Sequence, residues 1–129
     1  MSKDTARYTQ AHAWMEQLGE GWRAGITDYA AGSMGDIIYA ELPKVGAATT
    51  AGEAYGNIES AKAVEDLIAP LTGTVTAVNE ELEATPEVLN EDPFGAGWVA
   101  EIKVEGEVDL SGTMSAAEYA AYVKTLGEE

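Results

Sequence analysis

The sequence predicts a mainly β fold, a sandwich or small barrel with short helices attached at its edges. Three observations predict it. Short apolar segments recur along the chain with Gly and Pro between them. Residues of alternating character, such as those around Ile37–Leu42, have the period of a strand. A helical stripe is sustained only near the C-terminal end. With 129 residues and no long linker, the chain is read as one domain spanning 1–129 that can bury a real core.

Taken in order, residues 1–9 are polar and expected to be loosely held, with 1–6 as the loosely ordered start of the domain. Trp14 to Trp22, broken by Gly19 and Gly21, reads as a short hairpin. Thr27 can cap a helix over Asp28–Ser33, with Asp28 in its first turn and Gly35 ending it. Asp36–Leu42 reads as a strand with Ile38, Ala40 and Leu42 on one face and Ile37, Tyr39 and Glu41 on the other, until Pro43 stops it. Gly46 to Gly52 reads as turn, strand, turn. Two strands follow, Ala54–Glu59 and Val64–Ala69. The gap between them, Ser60-Ala61-Lys62-Ala63, is of hairpin length. After Pro70 and Gly73 comes the strand Thr74–Val78.

Glu80–Glu91 is polar with Leu82, Val88 and Leu89 as anchors, and Pro86 is placed to open a second helical turn. A loop from Asn90 to Gly97 leads into the strand Trp98–Val104. Ser115-Ala-Ala-Glu118 is a capping box. Tyr119, Tyr122, Val123 and Leu126 form the stripe behind it, read as packing against the sheet.

Composition removes several function classes. The chain has no Cys and one His, against 23 acidic and 7 basic residues, for a net charge of −16. Disulfides and thiolate nucleophiles are excluded. A hydrolytic relay would have to use His12, and no nucleophile-elbow motif accompanies it. No metal-ligand spacing is present. Nucleic acid and anionic membranes repel such a charge, so neither is expected as a partner. The acidity suits solubility by self-repulsion, a salt-rich interior, or steering toward basic partners. No apolar run approaches the roughly 20 residues of a spanning helix, and MSKDTARYTQ lacks the apolar core of a leader. A cytoplasmic protein is expected.

Lys62 stands out by position. It is the only basic residue between Lys44 and Lys103, with Glu53, Glu59, Glu65 and Asp66 near it in sequence. A hairpin tip holds a side chain away from the body of a domain, and Ser60, Ala61 and Ala63 leave its ammonium unobstructed. By spacing alone, this is also what an ordinary surface lysine looks like.

A resemblance adds to that reading. Glu59-Ser-Ala-Lys-Ala63, followed by Val-Glu-Asp-Leu-Ile-Ala-Pro70 and Gly73, resembles the lipoylation hairpin of the glycine cleavage H-protein family. Further similar segments are Gly25-Ile-Thr-Asp-Tyr-Ala30, Gly35-Asp-Ile-Ile-Tyr39 and Glu41-Leu-Pro43. Asn90-Glu-Asp-Pro-Phe-Gly95 with Gly97-Trp98 is the most distinctive. Lipoyl domains of 2-oxo acid dehydrogenase acyltransferases usually read Asp-Lys-Ala at the hairpin and lack the Asn-Glu-Asp-Pro loop.

The resemblance implies a lipoyl-domain-like flattened barrel of two sheets with short peripheral helices and a C-terminal helix. It implies lipoic acid joined to Lys62 by an amide, with Glu59, Ser60, Ala61, Ala63 and Asp66 as hairpin context and His12 as a candidate cleft residue. His12 also reads more simply as a hydrogen-bonded side chain packed beside Trp14. The protein would be a swinging-arm carrier and not a free-standing enzyme, modified by a lipoate-protein ligase or lipoyl transferase. The cofactor supplies the thiol chemistry that a Cys-free chain lacks.

Four positions depart from the family pattern. Glycine cleavage H proteins usually read Ser-His-Glu-Trp where this chain has Ala11-His12-Ala13-Trp14. In the family the Ser and Glu help shelter the loaded arm, together with the Asp matched by Asp66. Glu65 and Ile68 also replace a common Ser and Tyr. An aminomethyl cargo carries an ammonium that needs a partner when sheltered. The two alanines therefore tilt the reading toward H-like lipoate-binding proteins of a sulfur-oxidation pathway, with a heterodisulfide-reductase-like complex as partner. The alternative is the glycine cleavage carrier itself, with glycine decarboxylase, aminomethyltransferase and dihydrolipoyl dehydrogenase as partners. A third reading is an unmodified structural β-domain.

Overall fold

The computed structural model describes residues 6–19, 21–106, 108 and 110–127. Among them, the elements in chain order are β1 (Arg7–Tyr8), β2 (Ala13–Leu18), β3 (Gly21–Ile26), α1 (Asp28–Met34), β4 (Ile37–Glu41), β5 (Ala48–Thr49), β6 (Ala54–Ser60), β7 (Val64–Ile68), β8 (Gly73–Val78), α2 (Glu81–Ala84), α3 (Val88–Glu91), β9 (Ala100–Lys103) and α4 (Ala116–Gly127). They form one sheet in the order β1-β2-β3-β9-β8-β5 and a second in the order β4-β6-β7. All neighbours are antiparallel. Ile26 and Val75 of the first sheet and Ile58 and Leu67 of the second share one core with Met34 of α1, Leu82 of α2 and Leu89 of α3. The fold is mainly β, with two facing sheets, short peripheral helices and a C-terminal helix, as expected from the sequence.

The helix α1 follows its sequence signals closely. Thr27 Oγ1 accepts from the Ala30 amide at 3.2 Å, Asp28 occupies the first turn, and Gly35 closes the helix at φ 80°, a conformation that suits Gly. The hairpin β2–β3 is longer than Trp14–Trp22, pairing Ala13 with Ile26 at one end and Leu18 with Gly21 at the other. Both faces of β2 are covered: Trp14 joins a cluster with Tyr8, Phe94 and Tyr119, while Met15 joins Ala24, Leu71 and Ile102.

Three expectations need correction. Residues 6–9 are not loose. Ala6 and Tyr8 are buried, Tyr8 stacks on Tyr119 with centroids 4.9 Å apart, and its backbone exchanges two hydrogen bonds with Met114. A two-residue strand has no period to read, so nothing local announced it. Residues 1–5 lie outside the described residues. In β4 the buried side chains are Ile37 and Ala40, while Ile38 is 59% exposed. A register shift against β6 between Ile37 and Tyr39 breaks the alternation that placed Ile38 with Ala40. The Glu80–Glu91 segment meets its expectation: it is two single-turn helices, the second just after Pro86, with Leu82 and Leu89 buried and Val88 packed on the core. In α4 the stripe ends early: Tyr119 is buried, but Leu126 is 45% exposed, lying past the cluster that the helix covers.

The second sheet is held to the core by Ile58 and Leu67, each 2% exposed. Truncating either to Ala should cost about 2–4 kcal/mol through lost transfer energy and the cavity left behind. Urea denaturation would read this, and unchanged stability in both variants would show that the hairpin does not depend on these anchors.

Candidate functional site

The site is built on the β6–β7 hairpin. Ile58 pairs with Glu65, and Glu59 with Val64. The Ser60 amide donates to the Ala63 carbonyl at 2.9 Å, and the Lys62 amide donates to Ser60 Oγ at 3.3 Å. Ser60 is itself buried, so the turn is fixed by a residue belonging to the body of the domain. Ala63 is half-buried against the core, leaving Ala61 and Lys62 exposed at the tip. The Lys62 stem lies over the end of α1: a Cβ at Gly35 would sit 3.6 Å from Lys62 Cε. Among the described residues, no acceptor engages its Nζ.

Beside this stem lies a cleft of about 170 Å³. Its walls are the turn Ala11-His12-Ala13, the α1 residues Tyr29, Ala30, Ser33 and Met34, Ile26 of β3, and the hairpin residues Ile58, Glu65, Asp66 and Ile68. Ser33 and Met34 of this wall immediately precede Gly35, the residue that the lysine stem approaches. Ala11 and Ala13 both line the cleft, and neither offers it a polar side chain.

His12 combines a cleft position with a structural hydrogen bond. It lines the cleft, and its Nδ1 lies 2.8 Å from the Tyr119 hydroxyl. That hydroxyl is 2.7 Å from Thr27 Oγ1, so one chain of hydrogen bonds ties α4, the α1 cap and the cleft together. Burial lowers the pKa of His12 and, as the main cause, pushes Tyr119 up to about 12. Both shifts favour the neutral forms of the two side chains. The expected hydrogen bond of His12 is made to Tyr119; the ring contacts of His12 are with Tyr29, Tyr119 and Tyr122, and its backbone adopts φ 67°.

The Asn90–Gly97 loop acquires a structural reason. Asn90 Oδ1 accepts from the Ile37 amide at 2.9 Å, and Nδ2 donates to the Gly35 and Ala31 carbonyls. One side chain thereby clamps the end of α1 to the start of β4, directly under Lys62. Asp92 Oδ2 accepts from the Ala96 amide, and the Pro93 carbonyl accepts from Trp14 Nε1 at 3.0 Å.

Of the residues singled out by sequence, Lys62, Ser60, Ala61 and Ala63 meet at the tip, and His12 and Asp66 meet in the cleft. Glu59 stands on the outer face of the second sheet, between Tyr39 and Val64. Sequence reasoning did not see Tyr29 and Tyr119 as parts of the site, nor Glu65 as a lining residue. The strand alternation of β7 was the one signal that could have found Glu65. Among the described residues no group of His, Asp and Glu could hold a metal ion, and no helix is long and apolar enough to cross a membrane.

The hairpin thus presents an exposed primary amine with no partner among the described residues. The family model described as glycine cleavage H-protein matches residues 6–126. A glycine cleavage system H protein of Mycobacterium avium (strain 104) is 46% identical over 123 residues, covering 94% of this chain and 93% of the relative. One from Opitutus terrae is 46% identical over 114 residues, covering 88% and 90%. The crystal structure of a glycine cleavage system H protein from Mycobacterium marinum superposes with a TM-score of 0.85 at 34% identity, covering 95% of this chain and 98% of the other. The chain belongs to the glycine cleavage H-protein family, whose members are carriers bearing a covalently attached lipoate on a lysine and are not themselves catalysts.

Proposed function

We propose that Lys62 is the lysine that carries lipoate and that the arm transports the aminomethyl group of glycine cleavage. The observation that supports this best is the exposed Lys62, its amine free of partners among the described residues, on a hairpin whose Glu65 and Asp66 line the cleft. A lipoate-protein ligase or lipoyl transferase would form the amide. When attached, the dithiolane supplies thiol exchange chemistry. This chain's own part is to present the arm from a rigid hairpin, so that partner sites meet it at high local concentration, and to offer the cleft as a shelter. The partners in this reading are glycine decarboxylase, aminomethyltransferase and dihydrolipoyl dehydrogenase, in a cytoplasmic setting.

The sulfur-oxidation reading rests on Ala11 and Ala13, and it gives way for two reasons. The curated relatives that match nearly the whole chain are glycine cleavage H proteins. The cleft is also not stripped of anions, since Glu65 and Asp66 both line it. Nothing in these matches favours a heterodisulfide-reductase-like partner.

Glycine–bicarbonate exchange tests the proposal. Lipoylated protein added to glycine decarboxylase should support exchange, and the unmodified chain should not. Lipoylated protein that gives no exchange with an active decarboxylase would overturn the assignment of the cargo.

A further inference from the structure

We propose that Glu65 is the carboxylate that holds the cationic amine of the arm's cargo inside the cleft. This inference rests on the aminomethyl reading above.

The register of the hairpin carries it. Along β7 side chains alternate between the two faces of the sheet. Glu65 lies opposite Ile58, and Leu67, two residues on, is buried in the core. Glu65 is therefore on the inward face, at the point where the core ends and the cleft begins. Asp66 lies opposite Asn57, whose side-chain amide donates to Glu41 Oε1 at 2.9 Å on the exposed face. Its alternation directs it outward, so it contributes to the rim. Elsewhere on the wall Asp66 is the one other carboxylate, Ala11 and Ala13 have no polar side chain, and His12 Nδ1 is engaged by Tyr119. Among the described residues no donor occupies the Glu65 carboxylate, and the strand edge leaves it room to reach a ligand.

The chemistry explains why such a carboxylate matters. A thiol, formaldehyde and ammonia condense to an S–CH2–NH2 group with loss of one water. Release reverses this: the nitrogen lone pair expels the thiolate, and water then returns formaldehyde and ammonia. A protonated amine has no lone pair to do so. A carboxylate within hydrogen-bond reach favours the charged amine and so protects the cargo during transfer. With Ala at position 13, Glu65 supplies this charge from the opposite wall of the cleft.

The test uses lipoylated, reduced protein loaded chemically with formaldehyde and ammonia and followed by intact mass at neutral pH. A charge-assisted bond in a partly open cleft predicts that Glu65→Gln loses its cargo about tenfold faster than the wild type. Glu65→Asp should recover most of the lifetime. Glu41→Gln, which removes one charge from the outer face, should keep it whole. Salt near 1 M, where screening acts within roughly 3 Å, should shorten the wild-type lifetime toward that of Glu65→Gln. Carboxyl NMR of the protein labelled at Glu should show one side chain shifting on loading, absent in Glu65→Gln. Equal lifetimes for the wild type and Glu65→Gln, or a larger loss in Asp66→Asn than in Glu65→Gln, would overturn the proposal. Chemical loading bypasses the decarboxylase. A Glu65-dependent lifetime without glycine exchange would therefore defeat the pathway reading alone and leave the role of Glu65 standing.

Discussion

Replacing Lys62 with Arg is expected to abolish lipoylation outright. Intact-mass measurement of protein made with lipoate and a competent ligase should show one lipoyl adduct on the wild type and none on Lys62→Arg. The reason is chemical. Arg preserves length and charge, but its guanidinium stays protonated at any physiological pH and cannot form this amide. Exposure does not by itself select the site, since Lys44, Lys103 and Lys124 are exposed too. Lys62 differs in being the sole lysine among them at a tight hairpin tip, with Ala on either side and a turn locked by the buried Ser60. A modifying enzyme can enclose such a tip without meeting the body of the domain. An adduct that survives Lys62→Arg would sink the assignment. Because the Lys62 side chain makes no hydrogen bond or ion pair among the described residues, thermal stability should not change.

Trp14→Ala is expected to destabilise the fold more than truncation of Ile58 or Leu67 does, by about 3–5 kcal/mol. Trp14 is fully buried and joins elements remote in sequence. Its indole lies against the backbone of β3, where a Cβ on Gly25 would come 2.7 Å from Nε1. It also approaches Phe94 with centroids 6.2 Å apart, and Nε1 donates to the Pro93 carbonyl. Truncation would leave a large void and an unsatisfied carbonyl together. Trp14→Phe would keep most of the volume and leave only the carbonyl unpaired, a loss of about 1–3 kcal/mol. Urea denaturation of both variants separates the two contributions. A loss for Trp14→Ala no greater than that for Trp14→Phe would show that packing against Gly25 contributes little.

Much of the local architecture was legible in the residues. The Thr27 cap and the Gly35 stop of α1, the capping box at Ser115, where Glu118 Oε1 accepts from the Ser115 amide, and the hairpin around Lys62 depend on neighbours within a few positions. Turn and cap chemistry acts at that range. The faces of β4 were not legible, because the bulge that rotates Ile38 outward depends on how β6 pairs with it. The short strand β1 was not legible either, since Tyr8 is ordered by Met114 and Tyr119, more than a hundred residues away.

The same division runs through the site. The sequence by itself determined the hairpin and the lysine at its tip, because a hairpin is a local structure and small residues at its tip have a local effect. It also pointed to Asp66 and His12 through a resemblance, without saying what either touches. Only the tertiary structure decided what the cleft contains. It joined His12 to Tyr119 and Thr27, used Asn90 to clamp α1 to β4 beneath the lysine, and turned Glu65 inward opposite Ile58. Those relations arise where separate elements meet, and a cleft is the space left by their packing, so its charge depends on register and face rather than on which residues stand side by side in the chain. This is why the two alanines, read along the sequence, suggest a cleft left with Asp66 alone, while in the folded chain Glu65 lines it as well.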